Sequence, residues 1–518
     1  MKRYNPILGS FAALALAACT GDFDSFNTNP DAAQTIDKKT YITTMQMDAV
    51  IPCSDVGANA FQRACNLMGD AFGGYLSPIQ AFNGGSYTCT YDLDGTDYNN
   101  VPFSVAFTNV MPAWLNLKYA YANKQITDDT FAVAEVLKVL SLQRTTDIYG
   151  PLPVSHFGEP NNPYESQKDI YTNLFKDLNA AIEVLKTYTS NAGNARPLEK
   201  VDLIYQGEYA KWLKLANSEK LRMAMRIRFV EPQLAKQYAE EAVRDGVIEN
   251  VEDNALLKSH GSIQVYNPLE EVWNAYKDTR MGATIDAYMN GYEDPRLAAF
   301  FKPCKDGQYH GVRSGLNAML TADYQALSVP NVAKDTPVVW LLASEVAFLR
   351  AEGAMLGWNM GGNDETFYKQ GVRLSFVENG LSADAANSYM DSGKQPAAFK
   401  DASAATTKYD AQQPSTVTAQ WNAGDSPELK LERIITQKWI AMFPNGQEAW
   451  SEFRRTGYPR VIPIVNNMSG GKVSTSTQVR RMTFPRSEYA NNLAGVTEAI
   501  GLLGGMDSGN TKLWWDKK

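Results

Sequence analysis

The sequence has few of the residues that build metal-dependent or redox sites. Its 518 residues include three histidines and five cysteines. His156, His260 and His310 lie far apart, and neither an HExxH pair nor a CxxC pair is present. Zinc sites and dithiol redox sites depend on such close spacing. We therefore predict no zinc site, no redox site and no cofactor, we assign no metal ligands, and the sequence does not decide whether another ion binds.

An excess of positive charge is also lacking. The chain carries 49 Lys and Arg against 57 Asp and Glu, a net charge of −8 at pH 7. Proteins that bind nucleic acids usually present a basic face, so a nucleic-acid partner is excluded as the default interpretation. With 44% apolar and 20% charged residues, the composition is typical of a folded globular protein.

The usual catalytic motifs are missing. GxSxG and the Walker A pattern are both absent. Ser155 and His156 are neighbours in sequence, but adjacency along the chain does not create the geometry of a nucleophile and its base. A pair of carboxylates for glycoside hydrolysis cannot be selected from 57 acidic residues. We predict a protein that is not an enzyme, and we keep a surface degradative enzyme and an adhesin as alternatives.

The N-terminus has the pattern of a secretory signal. A basic start is followed by a mostly apolar run from Ile7 to Ala18 and then by Cys19. Such a run is too short to span about 30 Å of hydrocarbon as a helix. Leu16-Ala17-Ala18-Cys19 resembles a bacterial lipobox, in which Cys19 becomes the lipidated first residue. An ordinary signal peptide that happens to end beside a cysteine is the alternative.

The residues after Cys19 indicate how the chain is divided. Asp22 and Asp24 follow the cysteine closely, and they resemble the surface-export signal of Bacteroidetes lipoproteins. A plain polar tether is the alternative. We predict a signal peptide (1–18), a lipidated tether (19–40) and a single domain (41–518). The expected location is the outer membrane, with the protein held by its lipid anchor alone and facing the cell exterior.

The other cysteines define no disulfide framework. Cys53, Cys65, Cys89 and Cys304 lie in a compartment that permits disulfides. Four cysteines allow three connectivities, and the sequence does not choose among them.

Helical periodicity dominates the middle of the chain. Apolar residues recur at near-3.6 spacing in six segments: 128–144, from 166, 207–228, 233–244, 344–356 and 431–443. Short strands are predicted near Val338–Trp340 and at Val461–Val465. Long irregular stretches separate the helices at 82–102, 265–324 and 380–425. Loops of this length in a compact domain usually bind something.

Several segments together resemble the SusD/RagB family of nutrient-binding outer-membrane lipoproteins, over essentially the whole chain. The segments that carry the resemblance are Asp147–Pro153, Gly207–Trp212, Leu215–Arg226, Asp294–Arg296, Ser344–Glu352, Gln437–Ala441, Glu448–Trp450, Arg454–Pro459 and Arg481–Pro485.

This resemblance implies a fold and a function. The implied fold is mainly α, a SusD-like helical scaffold of tetratricopeptide-like helix pairs with long irregular loop insertions and little β structure. The implied function is a surface lipoprotein that binds a glycan or oligosaccharide. It would act as the lid of a SusC-like TonB-dependent transporter and deliver the ligand to it. The alternative is the same role with a peptide or protein-derived ligand.

Most of the residues in these segments are expected to build the scaffold. Long basic side chains on a helix with an apolar face usually pack and pair with acids of neighbouring helices. The basic residues are Lys211, Arg222, Arg226 and Arg228, and the candidate acids are Glu345, Glu352, Glu432 and Glu448. Trp439 and Trp450 lie beside apolar stripes and are predicted to be core residues.

The candidate ligand-binding residues lie on two loops. A sugar offers apolar C–H faces and hydroxyls, so its site needs aromatic rings and planar polar side chains. The first loop supplies Tyr75, Phe82, Asn83, Tyr87, Tyr91, Asp92 and Tyr98. The second supplies Asn267, Trp273, Tyr276 and Arg280. The resemblance places the ligand face in the region after the first helices, which agrees with the first loop.

Overall fold

The computed structural model describes residues 37–55, 57–191, 195–316, 322–402 and 408–518. The predicted signal peptide, Cys19 and residues 19–36 of the predicted tether lie outside these ranges. Within them, no helix is both long and apolar enough to cross a membrane.

Helices make up most of the described chain. The α-helices of nine residues or more are α1 (Thr40–Asp48), α2 (Met111–Ala122), α3 (Asp128–Tyr149), α4 (Gln167–Asn191), α5 (Tyr209–Ile227), α6 (Pro232–Asp245), α7 (Ala283–Tyr292), α8 (Ala343–Met355), α9 (Asp364–Glu378), α10 (Ala383–Asp391), α11 (Pro427–Ala441), α12 (Gly446–Thr456) and α13 (Leu493–Leu503). Shorter α-helices are Asn59–Phe61, Val101–Ser104, Pro268–Glu270, Leu297–Phe300, Ala322–Gln325 and Arg486–Asn491. Gln62–Asp70, Val105–Val110 and Glu271–Ala275 have π-helical hydrogen bonding, and Phe82–Gly85, Thr88–Thr90, Tyr98–Asn100 and Val251–Asp253 are 3₁₀ turns.

The strands are short and form separate two-stranded antiparallel ribbons. They are β1 (Leu76–Pro78), β2 (Ala255–Leu257), β3 (Thr279–Met281), β4 (Phe301–Lys302), β5 (Val329–Pro330) and β6 (Val338–Leu341). The pairs are β1–β3, β2–β6 and β4–β5. The strand predicted near Val338 is therefore confirmed as β6.

The strand predicted at Val461–Val465 is wrong. This segment has no regular structure. Pro463 has no N–H to donate to a ladder, and the neighbouring amides bond elsewhere. The Ile462 N–H donates to the Thr284 hydroxyl at 3.0 Å, and the Val465 N–H donates to the Ser314 carbonyl at 3.0 Å.

Two other boundaries differ from the prediction. The helix expected to end near Arg144 continues as α3 to Tyr149, because its last turn is held by side chains. The Asp147 carboxylate, for instance, accepts hydrogen bonds from Tyr171 at 2.7 Å and Trp515 at 2.7 Å. Two of the stretches predicted to be irregular also contain helices, α7 in 265–324 and α10 in 380–425.

The long helices pack in consecutive pairs, α3 with α4, α5 with α6 and α8 with α9. Apolar side chains from these pairs and from α11 and α12 share one core, which contains the fully buried Trp212, Trp439 and Trp450. The prediction that Trp439 and Trp450 are core residues is confirmed. A mainly α fold built from helix pairs is likewise confirmed.

Ion pairs join the helices inside this core. Arg226 on α5 donates to Asp147 on α3 at 3.0 Å and to Glu452 and Glu448 on α12 at 2.7 and 2.5 Å. All four side chains are at most 3% exposed. Burying a charge costs desolvation free energy, and several short hydrogen bonds to each charged group offset that cost.

The predicted partners are mostly confirmed. Arg222 pairs with Glu345 at 2.9 Å and Arg228 with Glu352 at 2.7 Å. Glu432 instead accepts from the Ser415 hydroxyl at 2.6 Å and lies 3.4 Å from Arg460. Lys211 pairs with Glu208 of its own helix end at 3.2 Å, and both are partly exposed.

The four cysteines in the described residues are free thiols. Burial raises the pKa of the Cys65 thiol to about 12, and Asp70 raises it further while Arg144 opposes both. At neutral pH this thiol stays protonated, and a protonated thiol is a poor nucleophile for disulfide exchange.

Asp70 ends the π-helical segment Gln62–Asp70 at its contact with α12. The contact is very close, since a Cβ on Gly446 would lie 2.2 Å from a carboxylate oxygen of Asp70. Burial raises the pKa of Asp70 to about 7, although Asn66, Arg144 and the Gly446 amide lower it. The ionised carboxylate is thus disfavoured in the folded chain.

We expect Asp70→Asn to stabilise the protein increasingly as the pH rises. The folded pKa lies above the unfolded value of about 3.9, so the folded state holds the extra proton and loses stability as pH rises between the two values. The gain of Asp70→Asn over the unsubstituted chain should grow by about 3 kcal/mol from pH 4.5 to pH 8. Urea denaturation at the two pH values measures it, with the exposed Asp335→Asn as control. A constant difference would contradict the assignment, because a mere packing defect does not depend on pH.

Candidate ligand-binding face

A β-ribbon brings the two predicted loops together. Leu76 pairs with Met281 and Pro78 with Thr279 in β1 and β3. The Ile79 N–H extends the ribbon by donating to the Asp278 carbonyl at 2.8 Å. Residues about 200 positions apart in sequence therefore border one surface.

A buried carboxylate lies at the end of this ribbon. Asp278 accepts a hydrogen bond from the Gln62 amide at 2.5 Å and another from the Gln80 amide. Burial raises its pKa, and both amides and Arg280 oppose the rise. Because Gln62 belongs to the π-helical segment and Gln80 follows β1, Asp278 fixes three chain segments to one another.

Half-buried aromatic rings lie on the neighbouring loop. Phe82 and Tyr98 pack on a small buried cluster that contains Tyr87, and the Phe82 and Tyr87 ring centroids are 5.5 Å apart. Burial raises the pKa of the Tyr98 phenol. The nearby Asp97, Cys89 and Asp278 raise it further, and Arg63 opposes the rise. The phenol therefore remains a neutral donor at neutral pH.

Tyr276 reaches the same region from the second loop. It is partly buried against the main core. This burial raises the pKa of its phenol, and the nearby acids Glu271, Asp55 and Asp278 raise it further. We call the set Arg63, Gln80, Phe82, Tyr98 and Tyr276 the ligand face, and the buried Asp278 holds it in place through its bond to Gln80. It combines ring surfaces with amide and guanidinium groups, a combination that suits a sugar or a peptide.

A model of the SusD-like family, described as SusD and RagB outer membrane lipoprotein, matches residues 24–516. The chain belongs to this family. Members of the family are binding proteins rather than enzymes, and the family is one of outer-membrane lipoproteins.

Solved structures of other SusD homologues are closely similar to the fold of this chain. A chitin-binding SusD homologue from Flavobacterium johnsoniae is 36% identical with a TM-score of 0.87, over 93% of this chain and 99% of its own. A SusD homologue from Bacteroides thetaiotaomicron is 37% identical with a TM-score of 0.85, over the same shares of the two chains. One from Bacteroides vulgatus is 31% identical with a TM-score of 0.86, over 92% of this chain and 97% of its own. Among curated proteins, none is significantly similar.

Five of the residues predicted to bind ligand lie inside this SusD-like chain. Tyr75, Tyr87, Tyr91, Asn267 and Arg280 are at most 7% exposed. The Tyr75 hydroxyl donates to the Trp439 carbonyl, and Arg280 donates to the Thr279 and Gln325 carbonyls at 2.7 and 3.0 Å. All five side chains are buried within the protein, so they support the ligand face and do not form its surface.

The remaining predicted residues are at or near the surface. Asn83 is exposed and Asp92 partly so, and both close turns: Asn83 donates to the Ser86 carbonyl at 2.9 Å, and Asp92 accepts from the Gly95 N–H at 2.8 Å. The Trp273 indole donates to the Val332 carbonyl at 2.9 Å. One face of its ring is covered by the Lys302 ammonium, 4.1 Å from the centroid. Trp273 is therefore less free to stack on a ligand than Phe82, Tyr98 or Tyr276.

Sequence reasoning missed Gln62, Arg63 and Asn66 because they lie on a helix and not on a loop. The Asn66 amide donates to the Thr279 hydroxyl at 3.3 Å, which ties this helix to β3. A signal was present: three polar residues at positions i, i+1 and i+4 interrupt an otherwise mostly apolar helix. Such a polar stripe is expected where a helix borders a site or solvent.

Proposed function

We propose that the chain is a surface lipoprotein, anchored through Cys19, that binds a glycan at the ligand face. The observation that carries this proposal is that the half-buried Tyr98 and Tyr276 both lie close enough to Asp278 for its charge to raise the pKa of their phenols, with Phe82 beside Tyr98 on one small cluster. Rings stack on the C–H faces of a pyranose, and the Gln80 amide and the Arg63 guanidinium supply hydrogen-bonding groups for its hydroxyls. The chitin-binding relative makes N-acetylglucosamine polymers the first ligand class to test.

Titration calorimetry tests this proposal. The full chain carrying Cys19→Ala, which removes the predicted lipidation residue, is titrated with chitin oligosaccharides, α-glucan oligosaccharides and a tryptic peptide mixture. We expect saturable binding to one glycan class and none to the peptides. Binding to peptides alone would support the alternative ligand, a peptide or protein fragment. Release of shorter products from any of them would show an enzyme and refute a pure binding role.

We also propose that the protein delivers its ligand to a SusC-like TonB-dependent transporter and acts as its lid. Family membership supports this role. Affinity purification of the lipidated chain from gently solubilised outer membranes should recover a large β-barrel protein in comparable amount. Recovery of the lipoprotein alone would contradict a stable complex. Treatment of intact cells with a protease tests whether the protein faces outward.

A further inference from the structure

A large concavity lies apart from the ligand face. It is an open groove of about 1100 Å³ between α2, α3 and α4, and it shares no residue with the ligand face. Each helix presents one side to it: Trp114, Lys118 and Tyr121 on α2; Phe131, Glu135 and Lys138 on α3; and Asn173, Asp177, Ala180 and Val184 on α4. The spacing of three and four residues is that of a single helix face.

The groove has the size of a short helix. A helix about 10 Å across with a pitch of 5.4 Å occupies roughly 420 Å³ per turn. The volume of the groove thus corresponds to about two and a half turns. A fourth helix laid among three others is a common way to fill such a space.

The lining indicates which face of that helix would enter. Ala180 is exposed and Val184 partly so, while Met111, Ala132, Leu174 and Ala181 beneath them are at most 3% exposed. The accessible apolar groups on this wall suit the Leu, Ile or Met side chains of an amphipathic helix.

The charges indicate the sign of the partner. Five carboxylates line the groove, from Asp128, Glu135, Glu165, Asp169 and Asp177, against three ammonium groups, from Lys118, Lys138 and Lys176. Lys138 is already bound, to Asp177 at 2.8 Å and to Glu135. The remaining groups leave a net negative groove, so a cationic partner is complementary.

An exposed aromatic pair adds to this complementarity. Tyr121 is 42% exposed, and its ring stacks on Phe131 with centroids 4.8 Å apart and planes 6° from parallel. Because Phe131 covers one face of the Tyr121 ring, the other is left for a Lys or Arg side chain of the partner.

We infer that the groove between α2, α3 and α4 is a docking site for a cationic amphipathic helix of about two turns, presented by a peptide or protein partner. The wall formed by Ala180 and Val184 takes the apolar face of that helix. The carboxylates and Tyr121 take its basic flank. This inference does not depend on the identity of the glycan.

The test uses a fluorescent 12-residue helical probe with Leu at i, i+3, i+4 and i+7 and Lys on the flanks, and a matched probe with Glu in place of Lys. Fluorescence anisotropy is measured against the full chain carrying Cys19→Ala. We expect the Lys probe to bind at least tenfold more tightly than the Glu probe, with an advantage that shrinks in high salt. Equal binding of the two probes, or none, would overturn the inference.

Two variants locate the binding. Ala180→Arg places a bulky cation on the exposed groove wall, and it should weaken the Lys probe at least tenfold. The exposed Ala494→Arg on α13 is the matched control and should leave the affinity unchanged. Asp128→Lys should weaken the Lys probe and strengthen the Glu probe. An Ala180→Arg chain that binds as before would overturn the groove as the site. Unchanged glycan binding in each variant keeps this outcome separate from that of the ligand face.

Discussion

Arg226→Met should lower the free energy of unfolding by about 3–5 kcal/mol, the usual cost of breaking a buried ion pair by removing one partner. The Arg226 side chain is fully buried and bonds to three carboxylates, those of Asp147, Glu448 and Glu452. Methionine keeps much of the volume and removes the charge. Three buried carboxylates then share one fewer cation.

The state of Glu452 shows how strongly these groups depend on one another. Burial alone would raise its pKa, yet Arg455, Lys438 and Arg226 together hold it well below the usual value. Removing Arg226 takes away one of these opposing charges. The neighbouring Lys438 is fully buried, and its ammonium lies 3.2 Å from Glu452, so part of the stabilisation remains.

Urea denaturation of the two proteins at pH 7 measures the loss. Arg244→Met is the control, because Arg244 is 69% exposed and pairs only with the adjacent Asp245 at 3.0 Å. Exposed pairs of this kind contribute about 0–1 kcal/mol. If both substitutions cost the same, the buried network would not have the energetic role that its geometry indicates. Arg226→Lys keeps the charge but loses the fork of donors, and an intermediate value is expected.

The second large effect is expected at the ligand face. Replacing Phe82 and Tyr98 together with alanine should weaken glycan binding by roughly 100-fold. Stacking of a nucleobase on an aromatic side chain, the nearest available scale, contributes about 1–3 kcal/mol per ring. Both rings are partly exposed and pack on one small buried cluster that is separate from the main core. Their removal should therefore uncover that cluster and leave the main core intact.

The same titration with the bound glycan class measures this loss. Tyr119→Ala is the control, since Tyr119 is 54% exposed and lies on α2, outside the ligand face. Tyr87→Ala serves a different purpose. Tyr87 is fully buried, so its loss should lower stability before it changes affinity. A double variant that binds as tightly as the parent would remove Phe82 and Tyr98 from the site.

The helices could be predicted from sequence because their signals are local. Apolar residues at 3.6 spacing placed α5, α6 and α8 within a few residues of their observed bounds. The basic residues of α5 and the acids of α8 and α12 could be matched because a charge on the apolar side of a helix needs a partner. Two of these residues were misjudged: Glu432 bonds to Ser415 in a loop, and Lys211 pairs with Glu208 at the end of its own helix.

The ligand face could be predicted only in part because it depends on distant pairing. β1 and β3 have three residues each and lie about 200 positions apart, and strands this short leave no periodic signal. Without that pairing, nothing in the sequence separates a ring that faces solvent, such as Phe82, from one that is buried, such as Tyr87. The composition indicated which loops to consider, and the fold alone shows which of their residues are buried and which are exposed.

The segment Gln62–Asp70 joins the two main features of the molecule. Its first residues bind Asp278 at the ligand face, while Asp70 at its end lies against Gly446, the first residue of the helix that carries Glu448 and Glu452. Gln62 and Asn66 attach this segment to Asp278 and Thr279 by side-chain hydrogen bonds. Substitutions elsewhere in the loops around Asp278 can therefore alter the proposed ligand face while the segment keeps its contact with the scaffold. Change at the proposed site is thereby separated from change in the helices that carry the ion pairs.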